Sequence, residues 1–205
     1  IKGFEIQSLA SDPYATAAAS GTWASGGTMA IDSVNRYGFG TQAAAGMAAG
    51  NNNTPGATEL YNGTAWTTGN NVQDPRDNGA SCGTQTAAVM AGGESPAETG
   101  NTETFDGTTW TEVNNLTTAR AKCRGLGIQT AALACGGISP LTAKVEEWDG
   151  TSWTEGNDLQ TATSDMGAVG TVTSGLIFGG AIPGYTAQTE SYNGTSWSEV
   201  ADLNS

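Results

Sequence analysis

Four glutamates, Glu59, Glu103, Glu146 and Glu190, each stand two residues before an aromatic side chain and seven before a tryptophan. Carboxylates are the groups from which glycoside hydrolysis takes its acid and its base or nucleophile, and it needs two of them facing one cleft. A glutamate repeated at one position in every unit points instead to a structural task, in which it accepts hydrogen bonds from backbone or threonine donors between units. Other chemistry is sparse. The chain has no histidine, which removes Ser-His-Asp and Cys-His catalysis and imidazole-bound zinc. Cys82, Cys123 and Cys135 are odd in number and form no CxxC pair, so they make no disulfide framework. Cys135 lies in an apolar run and reads as a small core residue, with a Cys123–Cys135 bridge as the alternative. The glycine-rich strings lack the lysine and the following helix of a phosphate loop. Asp74, Asp77 and Asn78, with loop carbonyls, are the residues that would suit a cation. Arg76 and Arg120, ten residues after their tryptophans, are placed to reach an acid or carbonyl of a neighbouring unit, or a ligand. The expectation is no catalytic residue, no cofactor and no metal.

Composition narrows the fold. Glycine contributes 30 of 205 residues and charged residues only 13%, too few leucines, lysines and glutamates to surface helices. Six tryptophans with nine tyrosines and phenylalanines need a core, which argues against disorder. A net charge of −13 repels phosphate backbones and anionic lipid, so neither nucleic acid nor membrane is expected as a partner. No stretch approaches the ~20 apolar residues of a membrane span, and the first residues lack the layout of a signal peptide.

The elements that would position these residues are repeated. Trp23, Trp66, Trp110, Trp153 and Trp197 fall at intervals of 43 or 44 residues. Around them recur ELYNGTAWT at 59–67, ETFDGTTWT at 103–111, EEWDGTSWT at 146–154 and ESYNGTSWS at 190–198. Asn62-Gly63, Asp106-Gly107, Asp149-Gly150 and Asn193-Gly194 predict two-residue type I′ hairpins. Such a turn pairs Tyr61 with Thr64 and Glu59 with Trp66, and puts an aromatic plate on one face of a short sheet. This turn chemistry also accounts for the glycosylation sequons at Asn62 and Asn193; Asn115 carries another match. Between the tryptophans runs a block of small apolar residues, such as 83–93 and 127–137. It predicts a strand buried on both faces and crowded near a central axis. One unit reads as four strands, in the third at about 122–128, 130–135, 144–148 and 152–156. An isolated sheet would leave its tryptophan exposed and forfeit about 4–5 kcal/mol, from roughly 180 Å² of apolar surface. Stacking the sheets face to face removes that loss for every unit, which is the logic of a β-propeller blade.

Gly136-Gly137, Glu146, Trp148, Asp149-Gly150 and Trp153, and their equivalents in the other units, resemble the kelch repeat. The resemblance covers about residues 22–203 and implies a propeller of four-stranded antiparallel kelch-like blades. Four units are complete, and a partial N-terminal blade carries Trp23. Five blades are favoured over four, with residues 1–21 as linker or partial blade and 22–205 as propeller. The aromatic-to-tryptophan connection is shorter than the kelch pattern and the units are more uniform. Strings such as Gly83-Thr84-Gln85-Thr86-Ala87-Ala88 and Asn193-Gly194-Thr195-Ser196-Trp197 also resemble repeats in virion proteins of marine bacteriophages, tail fibres among them.

After each di-glycine, replaced by Ala49-Gly50 in the first unit, comes a stretch that does not repeat, at 51–57, 94–101, 138–143 and 181–187, each with a proline. In a propeller these loops gather on one rim. The candidate binding residues are Asn52, Asn53, Glu94, Glu98, Leu141 and Tyr185. Tyr185 is an aromatic that the repeat does not require, and it either stacks on a sugar or packs on its own loop. The expectation is a non-enzymatic virion appendage protein, outside the cell. Its partners would be other virion proteins, copies of itself, or a host-surface glycan or protein. The alternative is a secreted bacterial carbohydrate-binding or glycan-active propeller.

Overall fold

The computed structural model describes residues 27–50, 56–138 and 140–203, with the backbone alone at Ile182. The described residues contain strands and turns and no helix. Four sheets follow one another along the chain, each of four antiparallel strands in sequence order. The first holds β1 (Tyr37–Thr41), β2 (Ala44–Ala48), β3 (Thr58–Tyr61) and β4 (Trp66–Thr68). The second holds β5 (Ala80–Thr84), β6 (Ala87–Ala91), β7 (Thr102–Phe105) and β8 (Trp110–Val113). The third holds β9 (Arg124–Ile128), β10 (Ala131–Cys135), β11 (Val145–Trp148) and β12 (Trp153–Glu155). In the fourth, β13 (Gly167–Thr171) and β14 (Ser174–Phe178) are separated from β17 (Thr189–Tyr192) and β18 (Trp197–Glu199) by a small hairpin, β15 (Ala181–Ile182) and β16 (Gly184–Tyr185). These are the repeated blades of a propeller-like, all-β fold. The partial unit around Trp23 lies outside the described residues.

Two features differ from the sequence expectation. The first is hairpin register. Trp66 lies directly opposite Tyr61, Trp110 opposite Phe105, Trp153 opposite Trp148 and Trp197 opposite Tyr192. The connection is therefore a four-residue loop, as in 62–65, and not a two-residue type I′ turn. Its first residue works through its side chain, since Asn62 Oδ1 accepts from the amides of Thr64 and Ala65 at 3.0 and 2.9 Å. Asp106, Asp149 and Asn193 do the same. Only the glycine takes positive φ, +90° at Gly63. This Asx turn needs a short polar side chain that accepts, which Asn and Asp provide equally. The true two-residue turns join the first and second strands, as at Gln85-Thr86 between paired Thr84 and Ala87.

The second difference is the strand nearest the axis. Contacts between sheets run through the first strands, β1 to β5, β5 to β9 and β9 to β13, and Ser81 Oγ donates to Gly38 O at 2.9 Å. The alanine-rich strands are second in each sheet and are buried on both faces in β6 and β10. Glycine lets the inner strands approach: a Cβ on Gly125 would press on the Ser81 backbone.

The aromatic plates of the second, third and fourth blades each pack on the preceding blade. Phe105 and Trp110 join Tyr37, Phe39 and Val72. Trp148 and Trp153 join Cys82, Val89 and Leu116. Tyr192 and Trp197 join Leu126, Leu133 and Leu159. Paired rings lie 4.8 Å apart in Phe105–Trp110 and in Tyr192–Trp197, and Trp110 and Trp197 are 1% and 2% exposed. The three cysteines are free and buried in these cores, so no Cys123–Cys135 bridge forms. Burial pushes the Cys82 thiol up to about 12.

Polar links repeat beside the apolar ones. Trp110 Nε1 donates to Thr58 Oγ1 of the preceding blade at 3.0 Å, and Trp153 Nε1 to Thr102 Oγ1 at 3.1 Å. Gln85 Nε2 reaches the carbonyls of Ala45 and Tyr61, and Gln129 Nε2 those of Ala88 and Phe105. In the first three blades the glycine that closes the block after the second strand donates its amide to the segment entering the next blade: Gly50 to Arg76 O, Gly93 to Arg120 O, Gly137 to Thr163 O, at 2.9–3.0 Å. Gly93 has φ +113°, and a Cβ there would land on the Tyr37 hydroxyl and the Asp77 carbonyl.

The junction between the third and fourth blades is built differently. Val172 stands where the glutamine would be and Val145 where the threonine would be. Trp197 Nε1 is consequently buried without a partner among the described residues, and Tyr192 Oη instead donates to Glu147 Oε1 at 2.9 Å. Replacing Val145 by Thr is expected to stabilise the fold by about 0.5–1.5 kcal/mol, the net value of one hydrogen bond. Thr102→Val is expected to destabilise it by roughly 1–3 kcal/mol, because a buried donor loses its acceptor. Denaturant midpoints of the two variants check the pair.

Candidate functional site

The repeated glutamates are buried, and their oxygens are taken up within the fold. Glu103 accepts from Arg76 Nη1 at 2.8 Å and from the amides of Gln73 and Asp74 at 2.8 and 3.2 Å. Glu146 pairs with Arg120 at 3.2 Å and holds the amides of Thr117 and Thr118. Each therefore pins the segment that links the preceding blade to its own. Arg76 and Arg120 reach the acid of their own blade, not of a neighbour, and also bond to own-blade carbonyls, Gly92 and Asn101 for Arg76 and Ala134 for Arg120. In the first blade the position of Arg76 is held by Ser33, and Arg36, three residues further on, reaches Glu59 at 2.7 Å. In the fourth that position is Thr163, and Glu190 is held by the amides of Gln160 and Thr161 alone among the described residues. The proposed cation residues diverge. Asp74 accepts from Asn101 at 2.6 Å, Asp77 from Asn35 at 3.4 Å, and Asn78 donates to Glu94 at 3.0 Å. No metal-ligating cluster occurs among the described residues.

The site that sequence reasoning missed lies where the blades converge. Asn35, Asn78, Lys122 and Asp165 occupy one position, two residues before the inner strand, and all take positive φ, between 55° and 59°. Their backbones are chained from blade to blade: the Asn78 amide donates to Asn35 O, Lys122 to Asn78 O and Asp165 to Lys122 O. Asn and Asp tolerate this left-handed conformation better than other non-glycine residues, which is the signal the sequence carried at three of the four positions. These four residues line a depression of about 720 Å³ together with Gly50, Asp77, Glu94 and Pro96. A second depression of about 270 Å³ shares Asn35 and Asn78 and runs along Gly38, Ser81, Gly125 and Ala168 of the inner strands.

Glu94, on the first loop residue after the second di-glycine, is thus brought to the axial mouth. Its backbone exchanges two hydrogen bonds with Asp77 and bridges to Glu98. Lys122 and Arg124 approach Asp165 at 3.9 and 3.5 Å. The mouth therefore offers amide, ammonium and carboxylate groups, donors and acceptors suited to hydrogen bonding a polar ligand. Leu141 is half-exposed on the third loop and does not line the depression. Tyr185, on β16, is fully exposed, so it does not pack on its own loop. Asn52 and Asn53 lie outside the described residues. No helix among the described residues is long and apolar enough to cross a membrane.

Asp77 gives the mouth a pH signature. Burial, reinforced by Glu94, holds its carboxyl above the usual range, against the hydrogen bond from Asn35. Ionised Asp77 therefore opposes folding above its unfolded-state value, and the penalty fades as acidification protonates it in both states. Asp77→Asn is expected to raise the melting temperature at pH 7 and to lose that advantage towards pH 3, measured by thermal unfolding across the range. No protein-family model matches the chain, and no curated protein matches it.

Proposed function

We propose that this chain is a non-enzymatic structural protein of a virion appendage, of tail-fibre type. In this reading its kelch-like blades form a rigid scaffold, and its non-repeating loops bind a host-surface glycan or another protein. The observation that carries the reading is a division of labour. The repeated polar residues, Glu103, Arg76, Gln85 and their equivalents, are held inside blades and junctions. The residues outside the repeat, Tyr185 above all, stand in solvent. A scaffold whose charged groups are internally paired leaves its loops free to vary without loss of fold. Resemblance of the repeat strings to phage virion proteins supports the setting. The net charge of −13 supports protein or neutral glycan over nucleic acid or anionic membrane as partner.

A second reading, a carbohydrate-binding propeller of a secreted bacterial protein, is favoured by the same exposed tyrosine, because an aromatic face is what a sugar ring stacks on. Binding of the folded domain to host cells, to purified virion proteins and to an array of glycans tests both. Tyr185→Ala is expected to weaken binding by about tenfold, the equivalent of ~1.4 kcal/mol, without changing stability. A folded domain that binds none of these probes sinks the binding role, and turnover of a polysaccharide sinks the non-enzymatic one.

A further inference from the structure

The two ends of the row of blades carry complementary halves of one junction. At the fourth blade, the side that would meet a following plate is open. Val169 is 53% exposed, where its equivalents Cys82 and Leu126 are buried. Leu176 and Phe178 are half-buried, where Leu133 and Cys135 are fully covered. Leu203 is 49% exposed, whereas Val72, Leu116 and Leu159 at the same place in the linkers lie within the three apolar cores. Its amide nevertheless donates to Ala187 O at 3.0 Å, as Leu116 does to Gly100 O and Leu159 to Ala143 O. The linker is in its junction conformation, and no following blade among the described residues packs on it.

At the first blade the opposite side is open. Trp66, Tyr61 and Met47 are half-buried, where Trp110, Phe105 and Met90 are covered completely. Polar groups match in the same way. By the register of the internal junctions, Trp66 Nε1 corresponds to Thr189 Oγ1, and Gln42 to the carbonyls of Gly175 and Tyr192. The Asn35 amide likewise corresponds to the Asp165 carbonyl at the end of the axial chain of bonds. Thr189 keeps the threonine that Val145 replaces, so this unfilled junction has the acceptor that the third one lacks. No contact comparable to those between successive inner strands joins β13 to β1 among the described residues.

We infer that the exposed face of the fourth blade docks the first blade of a second copy of this chain. The contact continues the junction already made three times inside the molecule, with the same side chains in the same register. Such a head-to-tail contact is heterologous and forms a ring where the rotation closes. Two copies in reciprocal contact place their eight described blades around one axis, within the roughly 4–8 of known propellers. The inference is independent of what the loops bind.

Sedimentation of the whole chain over a concentration series tests it. The wild type is expected to reach dimer mass reversibly. Val169→Lys on one end and Trp66→Ala on the other are each expected to hold the chain at monomer mass. Tryptophan fluorescence from the buried Trp110, Trp153 and Trp197 verifies that both variants fold. Mixing the two variants is expected to restore a dimer and nothing larger, because one intact head meets one intact tail. A monomer at every concentration overturns the inference. Hydrogen exchange of β14 then says why: protected amides mean that the chain's own residues cover the face, and free exchange means that nothing does. A dimer that persists in both variants overturns it as well.

Discussion

Each blade is amphipathic in a way that a lone sheet cannot satisfy, and the rest of the structure follows from that. The paired rings of Phe105 and Trp110, or Tyr192 and Trp197, form a flat apolar plate on one face of a twisted four-stranded sheet. The opposite face carries smaller apolar residues, Cys82 and Val89 or Leu126 and Leu133. Plate against hollow is self-complementary only between successive units, so the units stack in chain order. About 4–5 kcal/mol per tryptophan is at stake in each junction, from roughly 180 Å² of apolar surface, which makes the blade interface and not the individual sheet the unit of stability.

Polar groups set the geometry that the apolar contact leaves free. Hydrophobic packing is non-directional, whereas the Trp-to-Thr bond, the glutamine reaching two carbonyls and the glycine amide to the next blade's backbone each fix a distance. The buried Glu103–Arg76 pair holds the entering linker. Its fourth-blade counterpart shows that the arginine is dispensable where backbone amides supply the donors. The junction between the third and fourth blades exchanges several of these links for valine and a Tyr192–Glu147 bond, and leaves Trp197 Nε1 without an acceptor among the described residues. One architecture thus tolerates two ways of cementing a blade, with different polar satisfaction.

With the repeated groups taken up by scaffolding, two places among the described residues gather side chains that a partner could meet. One is the axial mouth, where four residues in the left-handed conformation bring Asn, Lys and Asp side chains together. The other is the set of loops after the di-glycines, which carry Glu94, Leu141 and the fully exposed Tyr185. The first is made by the convergence of blades and the second by sequence that escapes the repeat.

By itself the sequence determined the blade: its period, its four strands, its aromatic plate, the glycines at its crossing points and the structural use of Glu59, Glu103, Glu146 and Glu190. These are local or periodic properties, and a pattern repeated in register states them several times over. Tertiary structure decided the rest. The Asn-Gly and Asp-Gly dipeptides suit a type I′ turn, yet the hairpin closes through a four-residue loop, because stacking Trp66 directly on Tyr61 fixes the register and the Asn62 carboxamide caps the amides that follow. The alanine-rich strand looked innermost by size, but the strand nearest the axis is the one whose glycines admit a neighbouring backbone. Asn35, Asn78, Lys122 and Asp165 lie some forty residues apart in the chain and become neighbours only when inner strands meet, a contact that no local preference encodes.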